Sequence, residues 1–477
     1  MDNKTTVKLA RGSLFYGLGN FLPLLANVLL LPFFTHYLTP NDYGLISAAE
    51  VTTRVITILV LLGLPNTLIR FYYKYRDNPT QFRNSIGWHL RFAVLLAVVI
   101  LSVLFASHGV WVNWFFPGDI FYPILAMALI TAGFGIFLPV LQSWYQAKNE
   151  YKKHLLVTQA NFFLTALLTV YLVGWLKLGA VGGVLAVLIG SVLMGLYSLL
   201  VVWPYLRISK QGQINWDSVK FGIPLIPEAL AIWLLVFIDR VLIARIMGFE
   251  AVGIYAIGYS AGAVMSLIVS STQKAWLPLF LKSDDNTRLP IIITTYLAII
   301  SFIGLAGALF VKDGFALIIN ERYLEGAIVV APVILGYIFY GLYFISVNTL
   351  LKNDRTAWMA GLSGLAAITN IALNIWWIPR YGILGAAMAT GLSYVVLYGS
   401  TLLISQRRYP IANYPYFSIF SILGLGFLAY WGANMLGFIW YYNIAIWLGY
   451  AGVMHLLRII DLKQIHELIS SRKQPVD

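Results

Sequence analysis

Cysteine is absent from this chain. Its absence excludes a disulfide scaffold, thiolate metal ligation and thiol nucleophiles. Charge is scarce: 11% of the residues are Asp, Glu, Lys or Arg, against roughly 25% in soluble domains. Hydrophobic residues make up 60% and fall in long runs, more apolar surface than one core can hide, so the bilayer is the solvent that accommodates them. H-E-x-x-H, P-loop and G-x-S-x-G signatures are missing too, and with them the usual marks of zinc hydrolases, nucleotide enzymes and serine hydrolases. No metal-ligand cluster stands out. The formal charge of +13 is spread between apolar segments and forms no basic domain, which speaks against a nucleic-acid partner.

What is present is a succession of apolar windows of about 20 residues, about fourteen of them, predicting an all-α integral membrane protein. The first, Gly12 to Thr35, follows Lys4, Lys8 and Arg11. It is too long for a signal-peptide core and lacks a small-residue cleavage site, so it reads as a retained span. If the amino terminus is cytoplasmic, Arg70, Lys74, Arg76, Arg83, Lys148, Lys152, Lys153, Lys220, Lys352, Arg407 and Arg408 share its side. The opposite loops hold little more than Lys177, Lys312, Arg322 and Arg380. The positive-inside rule then places both termini in the cytoplasm. The far-side loops are short, the longest running from about Lys312 to Glu325, and leave no room for an external catalytic domain. The segment from Leu457 to Ile469 has the pattern of an amphipathic helix on the inner surface, or equally of a solvated helical extension.

The chain also repeats itself. Lys148-Asn149-Glu150 recurs as Lys352-Asn353-Asp354, and Gly179-Ala180-Val181-Gly182-Gly183 recurs as Gly382-Ile383-Leu384-Gly385-Ala386, both at an offset of about 203 residues. Asn41-Asp42-Tyr43-Gly44 is echoed by Glu250-Ala251-Val252-Gly253. Three echoes in order imply two six-helix lobes as parallel repeats about an axis along the membrane normal, with two appended C-terminal helices. The divisions expected are residues 1–215, 216–408 and 409–477. Two lobes about a cleft have the geometry that alternating access requires.

Charges at membrane depth cost roughly 2.5–3.5 kcal/mol each on insertion scales and usually face a cavity or a partner. Glu50 and Arg54, spaced i,i+4, share one helical face. Glu228 lies near the inner end of the seventh span, followed by Asp239 and Arg240, which project about 100° apart and therefore call for different partners. On one reading Arg54 and Arg240 make the cleft attractive to an anionic headgroup, while Glu50 or Asp239 releases an arginine or binds a coupling cation. On the other, Glu50 and Arg54 neutralise one another and Asp239-Arg240 sits at the interface. Pro224 and Pro227 either break the seventh span near Glu228 or mark a late helix start. Asn27, Asn348, Asn370 and Asn374 either line the cleft or hold helices together. Trp111, Trp114, Trp376, Trp377, Trp440 and Tyr441 suit an interfacial belt, and Trp233 and Trp276 either pack or stack on sugar rings. His36, His89, His108, His154 and His466 read as loop or interface residues, and Asp284-Asp285 as solvated charge.

Several motifs carry a resemblance over nearly the whole length. They are Leu38-Thr39-Pro40-Asn41-Asp42-Tyr43-Gly44, Phe221-Gly222-Ile223-Pro224-Leu225-Ile226-Pro227 with Asp239-Arg240, Gly253-Ile254-Tyr255 with Trp276-Leu277-Pro278, and Asn374 with Ile378-Pro379-Arg380-Tyr381-Gly382-Ile383-Leu384-Gly385-Ala386-Ala387. With these the chain resembles the oligosaccharide flippases, the Wzx-type polysaccharide transporter branch of the superfamily that also holds multidrug MATE exporters and lipid II flippases. The resemblance implies fourteen helices in two lobes, a bacterial plasma (inner) membrane, and movement of a polyprenyl-diphosphate-linked oligosaccharide to the outer leaflet, as in lipopolysaccharide O-antigen or capsule biosynthesis. It also implies a cationic cavity, coupling to H+ or Na+ without any other cofactor, and the polymerase and glycosyltransferases of the same pathway as partners. The substrate-binding residues expected on this basis are Arg54, Arg240, Arg70, Asn27 and Trp233, and the ion-coupling residues Glu50, Asp239 and Glu228. The alternatives are a MATE-like cation-coupled exporter of cationic compounds and, from another class, a membrane oligosaccharide polymerase or ligase.

Overall fold

The computed structural model describes residues 29–206, 216–282, 289–353, 355–411 and 413–457. Every regular element among them is helical. The helices that matter for the site are α1 (Leu31–Tyr37), α2 (Pro40–Leu61), α3 (Leu64–Lys74), α4 (Pro79–Ala106), α5 (His108–Phe115), α6 (Ala126–Phe134), α7 (Phe137–Ala147), α8 (Tyr151–Thr169), α9 (Gly179–Leu206), α10 (Asp217–Gly222) and α11 (Ile226–Met247). Beyond them come α12 (Phe249–Gly262), α13 (Met265–Lys282), α14 (Leu289–Ile318), α15 (Ala327–Lys352), α16 (Thr356–Arg408), α17 (Tyr416–Met435) and α18 (Trp440–Leu456).

Ten stretches are long and apolar enough to cross a bilayer, and the pair Phe249–Gly262 and Met265–Lys274, bent by 44°, makes an eleventh. One of the ten, Trp358–Arg408, is 51 residues long. At 1.5 Å per residue it would reach roughly 76 Å, more than twice a hydrocarbon core of about 30 Å. It breaks at Gly382, where φ is 58° and ψ is −140°, and so supplies two crossings. Trp440–Leu456 adds a 17-residue apolar helix. The protein is thus an all-α integral membrane protein with a number of spans close to the expected fourteen. Most of the expected first span, Asn27 included, Asp284-Asp285 and nearly all of the 457–469 tail lie outside the described residues.

By contact the chain divides into two compact units. One runs through Ile257 and takes in Ala367–Ala386; the other comprises Gly258–Ala366 and the chain from Ala387 onwards. The α10–α11 run, which the repeat assigns to the second lobe, packs on α2 and α3, so the first unit extends past residue 215.

In the first unit the motif around Thr39 has a mechanical explanation. Thr39 is the N-cap of α2, Pro40 occupies the first turn where its missing N–H is harmless, and Asp42 completes a capping box. Asp42 Oδ2 accepts from the Thr39 amide at 3.1 Å and from its hydroxyl at 2.7 Å. The other carboxylate oxygen accepts from the amide of Ala180 at 3.3 Å, so one side chain ties the start of α2 to the start of α9. Asp42→Ala removes both ties and is expected to lower stability by about 1–2 kcal/mol, read as a fall in the thermal midpoint in detergent, with Asp42→Asn falling less.

The repeated glycines are backbone contacts. A Cβ on Gly44 would collide with the carbonyl of Phe249, and a Cβ on Gly253 with the carbonyl of Pro40. Each glycine lies four residues after the residue whose carbonyl the other one touches, so α2 and α12 meet by equivalent surfaces, as a two-fold relation between repeats requires. Gly179 and Gly382, the second pair of echoes, both adopt positive φ, at 56° and 58°. At those angles a side chain is disfavoured, and glycine is the residue that fits.

In the second unit α14 packs on α15, α17 and α18. Asn443 donates to the carbonyls of Leu309 and Phe438, each at 3.0 Å, and Trp447 donates to Phe302 O at 3.0 Å while stacking on its ring. The appended helices are therefore pinned to the unit by polar bonds as well as by apolar contact. Gln273 and Asn348 exchange amide hydrogen bonds, at 2.9 and 3.3 Å, so this asparagine holds helices together.

Candidate functional site

The first unit contains an open cavity of about 580 Å³ between α2, α6, α9 and α11, with Glu50, Arg54, Thr53, Thr57, Trp233 and Phe237 on its wall. Pockets of roughly 300–1,000 Å³ are of the size that takes a small molecule or a headgroup. The wall is mostly apolar, and its charge is concentrated in Glu50 and Arg54. Thr53 donates to Ala128 O at 3.1 Å and Thr57 to Thr53 O at 2.7 Å, so both hydroxyls satisfy helix carbonyls and fix the face that carries Arg54.

Arg54 and Glu50 are paired as their spacing predicts, with Nη2 and Nε at 2.7 and 2.8 Å from Glu50 Oε1. The side chains are 55% and 46% exposed. An i,i+4 pair this accessible is worth only about 0.3–0.5 kcal/mol, weak enough for a stronger anion to displace the carboxylate. Arg54 also lies 5.1 Å from the centroid of Phe237, and Arg240 lies at the same distance from that ring. Two guanidiniums thus share one aromatic face system, and Arg240 is near enough to act electrostatically on Glu50.

The second acid–base pair is held differently. Asp239 is 1% exposed and Arg240 6%. The Tyr255 hydroxyl donates to Asp239 Oδ2, and the Arg240 amide donates to Oδ1 at 2.7 Å. The Arg240 guanidinium donates to Val236 O at 2.7 Å and reaches Asp239 Oδ1 at 3.4 Å. As adjacent helical residues should, the two side chains take their short side-chain bonds from different partners, Tyr255 and Val236, while the Arg240 amide and the longer guanidinium contact tie them to one another. Asp239 and Arg240 are thus both buried within the unit.

The remaining candidates fall elsewhere. Trp233 lines the cavity, its indole N–H without a hydrogen-bond partner. Arg70 is exposed on α3, 4.2 Å over the ring of Phe221, and is not part of the wall. Glu228 is half-buried in the first turn of α11, where the helix dipole favours a carboxylate, and does not line the cavity. α10, a 3-10 turn over Ile223–Leu225 that contains Pro224, and α11 follow one another with right-handed backbone throughout, and Pro227 lies in the first turn of α11, as a helix start places it. Trp276 borders a recess of about 40 Å³ in the second unit, room for about one water and too little for a sugar ring.

Asn374 donates to Asn370 O and Oδ1 at 2.9 and 3.0 Å within one helix, and both are fully buried. His89 and His154 are 0% and 8% exposed, against their expected place in loops or at interfaces. Each sits one turn or more inside a long helix whose start carries basic residues, which makes the segment look more polar than its packing is. Phe237 and Tyr255 went unassigned by sequence; Tyr255 stands in the Gly253-Ile254-Tyr255 motif, where its spacing from the glycine contact was the available signal.

Buried acid–base groups, a charged cavity and helices long enough to span the bilayer define a polytopic membrane protein of the transporter class. The chain belongs to the polysaccharide biosynthesis protein family, which it matches over residues 9–284, more than half its length. It is 21% identical over 406 residues to the "Lsg locus putative protein 1" of Haemophilus influenzae, covering 81% of this chain and 98% of that one. It is also 21% identical over 425 residues to an uncharacterised membrane protein of Methanocaldococcus jannaschii, covering 82% of each. Among solved structures, the lipid II flippase MurJ in an inward closed conformation matches with a TM-score of 0.69 at 14% identity, over 94% of this chain and 100% of that one. An inward-facing multidrug resistance MATE family transporter of the MOP superfamily matches with a TM-score of 0.61 at 13% identity, over 81% and 98%. The fold is shared with these transporters.

Proposed function

We propose that the protein is a flippase that carries a polyprenyl-diphosphate-linked oligosaccharide from the cytoplasmic to the outer leaflet of a bacterial inner membrane, with both termini in the cytoplasm. The observation that supports this most is Arg54: a half-exposed guanidinium on a cavity wall, restrained by one exchangeable carboxylate. A diphosphate offers several charged oxygens to the guanidinium fork, and such charge-assisted bonds are worth roughly 1.5–3 kcal/mol each, more than the Glu50 pair. The headgroup therefore displaces Glu50 on entry. Arg240, fixed by Val236 and Asp239, supplies steady positive potential from behind Phe237. The sugars occupy the cavity beside Trp233, and the polyprenyl tail stays in lipid, so only polar groups have to cross.

In this scheme Glu50, the carboxylate on the wall, binds the coupling ion, H+ or Na+, when Arg54 is engaged elsewhere. Asp239 positions Arg240. Arg70, stacked on Phe221 outside the cavity, meets the diphosphate at the entrance. Coupling has a physical driving force, since moving one elementary charge across a membrane potential is worth about 2.3 kcal/mol per 100 mV. A drug exporter for cations is disfavoured because Glu50 and Asp239 already have cationic or hydroxyl partners. The test is transport in proteoliposomes, following a fluorescent polyprenyl-diphosphate oligosaccharide and, separately, a cationic dye, under an imposed proton or sodium gradient. Gradient-dependent movement of the lipid-linked sugar is expected. Dye efflux without lipid movement would replace this reading with the exporter.

A further inference from the structure

Below the cavity, α2 ends in two left-handed residues, Leu62 and Gly63, before α3 begins. This break packs on the 3-10 turn between α10 and α11. A Cβ on Gly63 would come within 2.8 Å of Gly222 O, and a Cβ on Gly222 would collide with Leu62 O and come within 2.9 Å of His89 Cε1. Two interrupted helices therefore touch backbone to backbone, with the imidazole of His89 set against the contact. The cavity wall runs along α2 from Ile46 to Ile58 and along α11 from Ala229 to Phe237. It is bounded on one side by the Gly44–Gly253 contact and on the other by this one.

His89 is completely buried; the Leu62 carbonyl lies beside its ring, and neither ring nitrogen makes a well-formed hydrogen bond. No charged group on the packed segments makes a described contact with it. Arg70 and Lys74 on α3 lie over aromatic rings, and Asp217 and Lys220 on α10 and Arg83 and Arg91 on α4 are exposed. On α2, Glu50 and Arg54 pair with each other two turns up the helix. Within the unit α6, which also packs on α4, carries no charge, and α9 carries none either. A neutral imidazole tolerates such a place at modest cost. An imidazolium has two N–H donors and a charge, and burying it without a partner or water costs several kcal/mol.

We propose that His89 is a proton-operated latch on the Leu62–Gly63/Gly222 contact: neutral, it packs into the closed contact; protonated, it must be hydrated, and the contact separates and opens the cavity at that end. This gives the proton a binding site apart from Glu50. Its place in a transport cycle rests on the function proposed above, but the following test involves no substrate and stands or falls independently of it.

The cysteine-free chain makes single labels unambiguous. Ile58→Cys reports access to the cavity, and Asp77→Cys, in the exposed connection between α3 and α4, reports the same face and corrects for the reagent's own pH dependence. Membrane vesicles are labelled with an impermeant maleimide from the face where Asp77→Cys reacts. The corrected rate at Ile58→Cys is expected to be at least about tenfold faster at about pH 5.5 than at about pH 7.5. His89→Gln and His89→Met, two neutral replacements of similar size, are each expected to flatten that difference. Gly222→Ala, which wedges the contact, is expected to give fast labelling at both pH values. A native rate that ignores pH, or a full pH response surviving in either histidine variant, overturns the proposal, as does slow labelling in Gly222→Ala at both pH values.

Discussion

Asp239→Ala is expected to destabilise the protein by about 3–5 kcal/mol, enough to remove most of the folded material from a detergent extract. The reason is burial. Arg240 is 6% exposed, and without the carboxylate it keeps the Val236 carbonyl but loses the negative charge beside it. The Tyr255 hydroxyl loses its acceptor in the same step. Asp239→Asn retains an oxygen for Tyr255 and for the Arg240 amide, so its loss should be smaller. Tyr255→Phe should fall between native and Asp239→Ala, near the roughly 1–3 kcal/mol of an abandoned buried acceptor. Glu50→Gln, at a wall position with 46% of the side chain exposed, should change stability by no more than about 0.5 kcal/mol. Thermal midpoints and gel-filtration profiles of the four variants in one detergent measure the series. An Asp239→Ala protein as stable as Glu50→Gln would contradict the assignment of Asp239 as the group that holds Arg240.

Gly44→Val and Gly253→Val should have the second largest effect. Either side chain must displace a carbonyl of the facing helix, and backbone cannot yield as a flexible side chain can. Overpacking of this kind costs about 1–3 kcal/mol. Part of it would be relieved by separating α2 from α12, which opens the cavity at the Gly44 end. Labelling of Ile46→Cys from the face opposite Asp77 should then accelerate in both valine variants. Because the contact is reciprocal, both should behave alike; acceleration in one and not the other would contradict the two-fold relation.

Much of the architecture was readable from spacing. Length and hydropathy alone define spans, because a 30 Å hydrocarbon core sets a minimum helix length whatever the tertiary contacts. The echoed turns were legible because their glycines are constrained locally: Gly179 and Gly382 need positive φ, and Gly44 and Gly253 need to be bare. The i,i+4 pair of Glu50 and Arg54 was readable for the same local reason. What the sequence did not show was depth. His89 has basic neighbours at the start of its helix and looks peripheral, yet the break at Leu62 and Gly63 brings backbone over it. Asp239 and Arg240 looked equally suited to an interface, and only the Tyr255 hydroxyl, sixteen residues on, shows why they are buried. Phe237 acquires meaning from two arginines, Arg54 and Arg240, that are far apart in sequence. Arg70 was placed by the family pattern and Glu228 by its charge near the inner end of a span, and neither says which side of a helix faces the cavity.

The most direct measurement is the rate of flipping of a fluorescent polyprenyl-diphosphate oligosaccharide in proteoliposomes by the native protein, Arg54→Lys and Arg54→Ala. The Arg54→Ala rate should fall by about 10–100-fold, the loss of one charge-assisted contact to a diphosphate, while its thermal midpoint stays near the native value. Arg54→Lys, which keeps the charge and gives up the fork, should lie between the two. Native-rate flipping by Arg54→Ala would contradict the claim that this arginine receives the headgroup, and with it the cavity's assignment as the transport route.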